Sequence, residues 1–462
     1  MVGLLRSVFT VWLFTHGTYG TEQIADSFVF VILNQEIASH YDAARQLASH
    51  IISDAKHLGL PCEVHVASED WPTSAAWTYF PLLESLSQQH GSNSSWIVLL
   101  EEWTLVRLEK LVDILHDYNS TQFLFAGRGV KDREETIIHH FARVDQDHPF
   151  LFPDSRAGFV LSTTLLIRLA QLWTNSSTWQ STDFTIDAEY EFASFVKSAG
   201  VELIHHEGFC INNKPECSVV FHPARNCDGV IRKDDIHVAV KSCVRYHAER
   251  LPVIKATWLK DATNFAIYSD TEDPFFGTLS LGIPNTEHGH CGKTMAIIRR
   301  AAQLVSIHWL AIVDDDTLIS VPRLRTLLSC YDSRDLIALG EKYGFAATAS
   351  YGYDYITGGG GMVFSKALVE QLAVPGVCEC PSNDTPDDMF LGMCLKRLMV
   401  PIIHSSAFHQ ARPMDYPEEL LQGESLISFH KYWMVEPQHV FSHWLDHPST
   451  SEHFPASVHT EL

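Results

Sequence analysis

The stretch Trp309-Leu-Ala-Ile-Val-Asp314-Asp315-Asp316-Thr317 is an apolar run that ends in three adjacent carboxylates. The run reads as a buried strand. Three like charges at its end repel one another and cost desolvation unless a cation offsets them. Hard oxygen donors of this kind suit Mg²⁺ or Mn²⁺ shared with substrate phosphates. The competing reading is a solvated acidic turn, and so short a motif does not by itself separate the two.

Three other clusters carry chemistry. In Thr357-Gly358-Gly359-Gly360-Gly361, four consecutive glycines permit close approach of backbone to a ligand. No Gly-Lys-Ser/Thr follows, so this is not a Walker A loop. Pro386-Asp387-Asp388 opens a helix-like run through Leu398. Acids at a helix start often only cap it. Two of them allow a division of labour, with Asp387 capping and Asp388 free to act as a general base. His409 ends a strand-like stretch, and neutral imidazole is a common ligand of first-row metals. The chain has 26 histidines, so His409 is singled out by its place in the wider pattern and not by spacing.

These clusters need a scaffold, and the chain is written twice. Trp96-Ile-Val-Leu-Leu-Glu101-Glu102-Trp103-Thr104 parallels the acidic strand. Ala157-Gly158-Phe159-Val160-Leu161-Ser162 parallels Gly360-Gly361-Met362-Val363-Phe364-Ser365. Val201 to His205 parallels Val400 to His404, and Val64 to Glu69 parallels Phe265 to Asp270. Four matches in one order imply two homologous units. The copies diverge where chemistry would sit. Glu101-Glu102-Trp103 replaces the aspartates, Asp154-Ser155-Arg156-Ala157 replaces the glycines, Glu189 faces Asp388 and Cys210 faces His409. A Trp cannot replace a carboxylate ligand, and a Cys in an oxidising lumen is expected in a disulfide. The first copy is therefore expected to be metal-free and silent.

Each copy alternates apolar strand-like runs with helical patterns, for example residues 323–330 and 365–373. That alternation predicts an α/β fold with a mostly parallel sheet, helices on both faces and ligands at the carboxyl ends of the strands. The expected division is a signal peptide over 1–20, a degenerate domain over 21–230, a catalytic domain over 231–458 and a terminal tetrapeptide over 459–462. The junction falls near Cys227-Asp228-Gly229, and Ile236 to Val240 is the expected first strand of the second copy.

Bulk composition narrows the class. The chain has 462 residues, 46% hydrophobic, and a formal net charge of −23. That balance argues against nucleic acid and anionic membrane surfaces as partners. The short apolar stretch from Val8 to Phe14 reads as a cleaved leader, leaving no membrane span in the mature chain. Ten cysteines and sequons at Asn93, Asn119, Asn175 and Asn383 fit an oxidising compartment. Cys378-Glu-Cys380 and the Cys210, Cys217, Cys227 group lack zinc-finger spacing. The final His459-Thr460-Glu461-Leu462 resembles a KDEL-type address, which predicts a retrieval receptor as partner and residence in the endoplasmic reticulum lumen.

Taken together, Lys255-Ala-Thr257-Trp258, Ser269-Asp270, the aspartate triplet, residues 358–365, Pro386-Asp387-Asp388 with Gly392, and Phe408-His409 resemble, in order, the fringe-like β1,3-glycosyltransferases. The likeness covers about the last half of the chain. Within that family, a leader without an anchor, a degenerate first repeat, a KDEL-like tail and His409-Gln-Ala-Arg412-Pro413 are similar to the branch that adds glucose to O-linked fucose on thrombospondin type 1 repeats. The resemblance implies two tandem GT-A-like (Rossmann-like) domains, a UDP-glucose donor, Mn²⁺ (Mg²⁺ possible), inversion at the anomeric carbon, and O-fucosylated thrombospondin repeat proteins as partners. It implies Asp316 and His409 as metal ligands, Asp314 supporting the metal shell, Asp315 positioning the sugar or ribose, Gly359 and Gly360 beside the donor, Asp270 near the uridine and Asp388 as base. Nothing in the residues fixes the sugar, so an N-acetylglucosaminyl- or galactosyltransferase of the family stands as an alternative, as does a non-enzymatic glycan-binding chaperone. The arginine that the family uses near the nucleotide has no clear equivalent; Arg245 is the candidate. Lys293, Arg299 and Arg300 fall on one expected helix, either adding positive potential to the site or facing solvent.

Overall fold

A computed structural model describes residues 26–446, except 74, 134–135, 141–149, 176–182, 223–226 and 228. The expected leader and the terminal tetrapeptide lie outside the described residues. No helix among those described is long and apolar enough to cross a membrane.

The fold is mixed α/β and repeats itself. In the second half, the sheet runs Thr278–Ser280, Phe265–Ser269, Ile236–Lys241, Trp309–Asp314, Met362–Ser365, Ala338–Gly340, Ile402–His404. In the first half, it runs Cys62–Val66, Phe28–Leu33, Trp96–Glu101, Phe159–Ser162, Phe125–Gly127, Ile204–His205. Apart from the extra edge strand Thr278–Ser280, the two orders correspond strand for strand.

Period-two alternation explains how each sheet is buried on both faces. Val238, Val240, Trp309, Ala311 and Val313 enter one apolar core. Ala239, Leu310 and Ile312 enter another on the opposite face. The first half is the same, with Val29, Val31, Ile97 and Leu99 on one side and Phe28, Phe30, Trp96 and Val98 on the other.

One strand in each sheet departs from the expected parallel arrangement. Met362–Ser365 is antiparallel to Trp309–Asp314, and Phe159–Ser162 is antiparallel to Trp96–Glu101. The departure has a functional consequence. An antiparallel strand starts where its parallel neighbours end, so the glycine run that feeds it lands beside the aspartate triplet.

The halves are tied together. Phe184–Thr185 of the first half adds to the ribbon formed by Lys342–Phe345 and Tyr353–Ile356. The Gln35 side chain donates to the His404 carbonyl (2.9 Å) and accepts from its N–H (2.6 Å). Disulfides join Cys210–Cys217, Cys227–Cys330, Cys291–Cys380 and Cys378–Cys394, while Cys62 and Cys243 are unpaired. Cys210, the counterpart of His409, is thus disulfide-bonded as expected.

Candidate active site

Three elements meet at the carboxyl end of the second sheet. Trp309–Asp314 delivers the triplet, the turn before Met362–Ser365 delivers the glycines, and the helix Asp387–Arg397 begins with the acid pair. A fourth element, Ser428–His430, was not singled out in the sequence. It pairs antiparallel with Thr317–Ile319, placing His430 opposite Thr317.

His430 is the imidazole of the acidic cluster. Its Nε2 lies 3.2 Å from Asp316 Oδ1 and 3.9 Å from Asp314 Oδ2. Its Nδ1 donates to the Gln410 carbonyl at 2.9 Å. That bond fixes the ring orientation and leaves Nε2 facing the carboxylates, as partners outside the ligand set do for metal-binding histidines. Burial opposes the charged form of His430, but Asp316 and Asp314 raise its pKa on balance. Asp314, Asp316 and His430 form a group whose donor atoms all lie within 4.8 Å of one another. Two carboxylates and one imidazole suit Mn²⁺ or a similar first-row ion.

The assignment of His409 is corrected accordingly. Its ring is buried between Phe429 (4.7 Å, stacked) and Tyr416 (4.5 Å, edge-on), with Nδ1 3.2 Å from the Ser428 carbonyl. Burial pushes its pKa down to about 3. It lies in the floor under the His430 strand, outside the ligand group. The Phe408-His409 motif still matters, because the next residue, Gln410, supplies the carbonyl that orients His430. Gln410 also accepts from Gly360 N–H through Oε1 at 2.9 Å.

The glycines serve close packing. A Cβ on Gly359 would run into the His430 ring, and one on Gly360 would meet Thr357 Oγ1 at 2.7 Å. Gly361 adopts φ +104°, a region open mainly to glycine. Thr317 Oγ1 donates to the Gly359 carbonyl at 2.8 Å, joining the turn to the acidic strand.

The acid pair divides its work, but Asp387 does not cap the helix as expected. Pro386 stands at the N-cap without a side-chain cap, and it is Asp388 Oδ1 that accepts from a helix N–H, that of Met389 at 2.7 Å. Asp387 is buried and accepts from Lys241 Nζ (2.7 Å) and Thr294 Oγ1 (2.5 Å). Burial alone would raise its pKa, yet Lys241 and these bonds bring it down to about 2. Asp388 has no cation at this range. Burial, followed by the charge of Asp387, lifts its carboxyl to about 6. A carboxylate of that strength is a competent base near neutral pH. Gly358 packs against it: a Cβ there would be in van der Waals contact with Asp388 at 3.9 Å, and the Gly358 backbone hydrogen-bonds the carboxylate.

Three basic residues complete the site. Lys241, not singled out from sequence, bridges Asp387 and Asp314 (3.1 Å) and is buried. Arg250 Nη1 contacts Asp315 Oδ1 at 2.6 Å and Asp316 Oδ2 at 3.1 Å, above the Tyr246 ring at 3.7 Å. Arg245, the residue expected near the nucleotide, lies over the same ring at 5.3 Å and has neither of these carboxylate contacts. Of the three helix residues, Lys293 is buried and donates to the Ser242 carbonyl at 2.6 Å, whereas Arg299 and Arg300 are exposed. Asp315 is buried and also accepts from Ser242 Oγ at 2.7 Å. Asp270 sits at the end of the neighbouring strand, accepting from Val244 N–H at 2.9 Å and Ser269 Oγ at 3.0 Å.

The first copy is wired differently. Glu102 pairs with the buried His40. Leu33 stands opposite Glu101 in the register where Lys241 stands opposite Asp314. Another possible cation-holding group among the described residues, Glu63, His65 and His90, lies at the first sheet's edge, away from this acidic strand.

Known proteins resemble most of the chain. A sequence model of the Fringe-like family matches residues 59–210 and again 231–455. The beta-1,3-glucosyltransferase of Mus musculus is 43% identical over 425 residues, covering 90% of this chain and 86% of that one. Its Homo sapiens counterpart is also 43% identical, covering 90% and 84%. The fringe glycosyltransferase of Drosophila melanogaster is 28% identical over 216 residues, covering 40% of this chain and 52% of that protein.

Proposed function

The chain belongs to the Fringe-like family of glycosyltransferases, and from that premise we propose that it is an inverting, metal-dependent β1,3-glucosyltransferase. The donor is UDP-glucose, and the acceptor is the 3-hydroxyl of O-linked fucose on thrombospondin type 1 repeats in the endoplasmic reticulum lumen. The glucosyl assignment follows the names of the relatives that match along most of their length. One observation carries the transfer chemistry: Asp388, with a carboxyl lifted to about 6, packs on the glycine turn that also packs on His430, the imidazole grouped with Asp314 and Asp316.

Within this reading each side chain has a task. Asp314, Asp316 and His430 would hold Mn²⁺, which supplies Lewis-acid stabilisation of the charge that develops on the departing diphosphate. Asp388 accepts the proton of the acceptor hydroxyl, and the oxygen attacks the anomeric carbon from the face opposite the leaving group. Lys241 holds Asp387 ionised, and that charge keeps Asp388 basic. Gly358 hydrogen-bonds the base through its backbone. Arg250 steadies Asp315 and Asp316 against mutual repulsion.

The deciding experiment is a donor screen against UDP-glucose, UDP-galactose and UDP-N-acetylglucosamine with a fucosylated thrombospondin repeat in Mn²⁺. Glucose transfer alone is the expected result. Transfer of another sugar would replace the donor assignment, and absence of both transfer and donor hydrolysis would favour a glycan-binding chaperone.

A further inference from the structure

Where the second copy carries its acidic site, the first copy carries a cavity. About 930 Å³ opens at the carboxyl ends of Phe28–Leu33 and Trp96–Glu101, closed on its far side by the second half. Ligand pockets generally span about 300–1,000 Å³. Trp71, Tyr79 and Glu102 are buried in its wall, while Glu36, Thr73 and Met399 lie exposed at its rim.

The lining chemistry disfavours a nucleotide diphosphate. Six carboxyl side chains line the cavity against three from lysine and arginine. Trp103 stands where the third aspartate would, and Leu33 where Lys241 would. Little remains to grip a phosphate, and the carboxylates repel one.

The same lining suits a neutral sugar. Trp77 in the lining is held in place: its Nε1 donates to Asp354 Oδ2 at 3.2 Å, and Lys342 Nζ sits over one face, 4.5 Å from the ring centroid. On the floor, Ser155 Oγ lies 2.5 Å from Glu101 Oε1 and 2.7 Å from Glu189 Oε1. One hydroxyl hydrogen can serve only one of those oxygens, so a second proton must reside on a carboxyl. Both hydrogens are used within that group, so what the pair has left for a sugar hydroxyl is acceptor oxygens. Aromatic faces cover the apolar C–H side of a pyranose, and a few fixed polar groups set its orientation.

We propose that this cavity is a metal-independent binding site for a neutral pyranose of a glycan. It shares an element with the candidate active site. The helix Asp387–Arg397 presents Asp388 at its first turn and Gly392, Leu395 and Lys396 to the cavity. The binding itself does not depend on the transfer reaction.

The test uses the full chain in EDTA without nucleotide. Saturation-transfer NMR is recorded with methyl glucoside, methyl mannoside and methyl fucoside as probes. Transfer to at least one probe is expected, unchanged in Asp316→Ala and lost in Trp77→Ala. A second variant, Glu189→Leu, removes polar floor contacts without touching Trp77 and should weaken binding about tenfold. No transfer to any probe, transfer lost in Asp316→Ala, or transfer surviving Glu189→Leu at full strength overturns the proposal. Glucose transfer by the same preparation is measured in parallel, so failure of this site and failure of the transferase reading are told apart.

Discussion

Asp388 and Asp387 differ by one position and by one neighbour. Lys241 pairs with Asp387 and acts only weakly on Asp388, whose carboxyl is raised by burial and then by the charge of Asp387; the two separate to about 2 and about 6. The consequence is a pH profile. Asp388 must be deprotonated to accept a proton, so kcat/KM should fall about tenfold per pH unit below about 6 and level off above it. The charged groups that set this value are Asp387 and Lys241; Tyr353 and Tyr355 also face Asp388. Asp388→Asn should lower kcat about 10²–10⁴-fold while calorimetric titration still registers UDP and Mn²⁺ binding. The histidines give a sharper contrast. His430→Gln should weaken Mn²⁺ affinity about 10–100-fold or more, whereas His409→Gln should leave it largely intact. Equal losses in both would return His409 to the ligand set.

The strand–turn–strand geometry governs the next scale. Because Met362–Ser365 runs against its neighbours, its glycine turn packs on the ribbon of Thr317–Ile319 and Ser428–His430. Gly359 is the point of closest approach, with the His430 ring where a Cβ would stand. Gly359→Ala should therefore displace the ring and reduce metal-dependent UDP binding, as read by calorimetry, while far-ultraviolet circular dichroism remains native. The helix Asp387–Arg397 is held from behind, since Cys394 bonds Cys378 and the adjacent Cys380 loop bonds Cys291. These bridges anchor the element that carries the base.

Two sheets of the same strand order carry different groups at their carboxyl ends. The first copy has Trp103 and Leu33 in place of Asp316 and Lys241, with Glu102 engaged by His40. Glu101→Gln should consequently leave glucose turnover within about twofold of the parent, measured at saturating donor. The Cys227–Cys330 bridge closes a loop of 103 residues between the halves. Loop-closure entropy assigns a bridge of that span about 4–5 kcal/mol. The paired Cys227→Ser, Cys330→Ser variant should melt at a lower temperature in calorimetry, with the specific activity of the folded fraction retained.

Much of this was written in local order. Apolar runs of period two, acids at strand and helix ends, and two passages of one pattern announce α/β units and the positions of Asp314, Asp316 and Asp388, because burial and backbone periodicity act on neighbours in sequence. His430, Lys241 and Arg250 carried no such mark. Each lies in an ordinary strand or helix and gains its meaning from a partner dozens of residues away: Lys241 from Asp387, Arg250 from Asp315, His430 from Asp316. His409 was singled out because its motif borders the site, yet the loop that follows Ile402–His404 turns its ring into the floor between Phe429 and Tyr416. Periodicity and composition settle which segments fold and which residues face inward. Which inward groups meet around one charge depends on strand order and register, and only the folded chain brings those together.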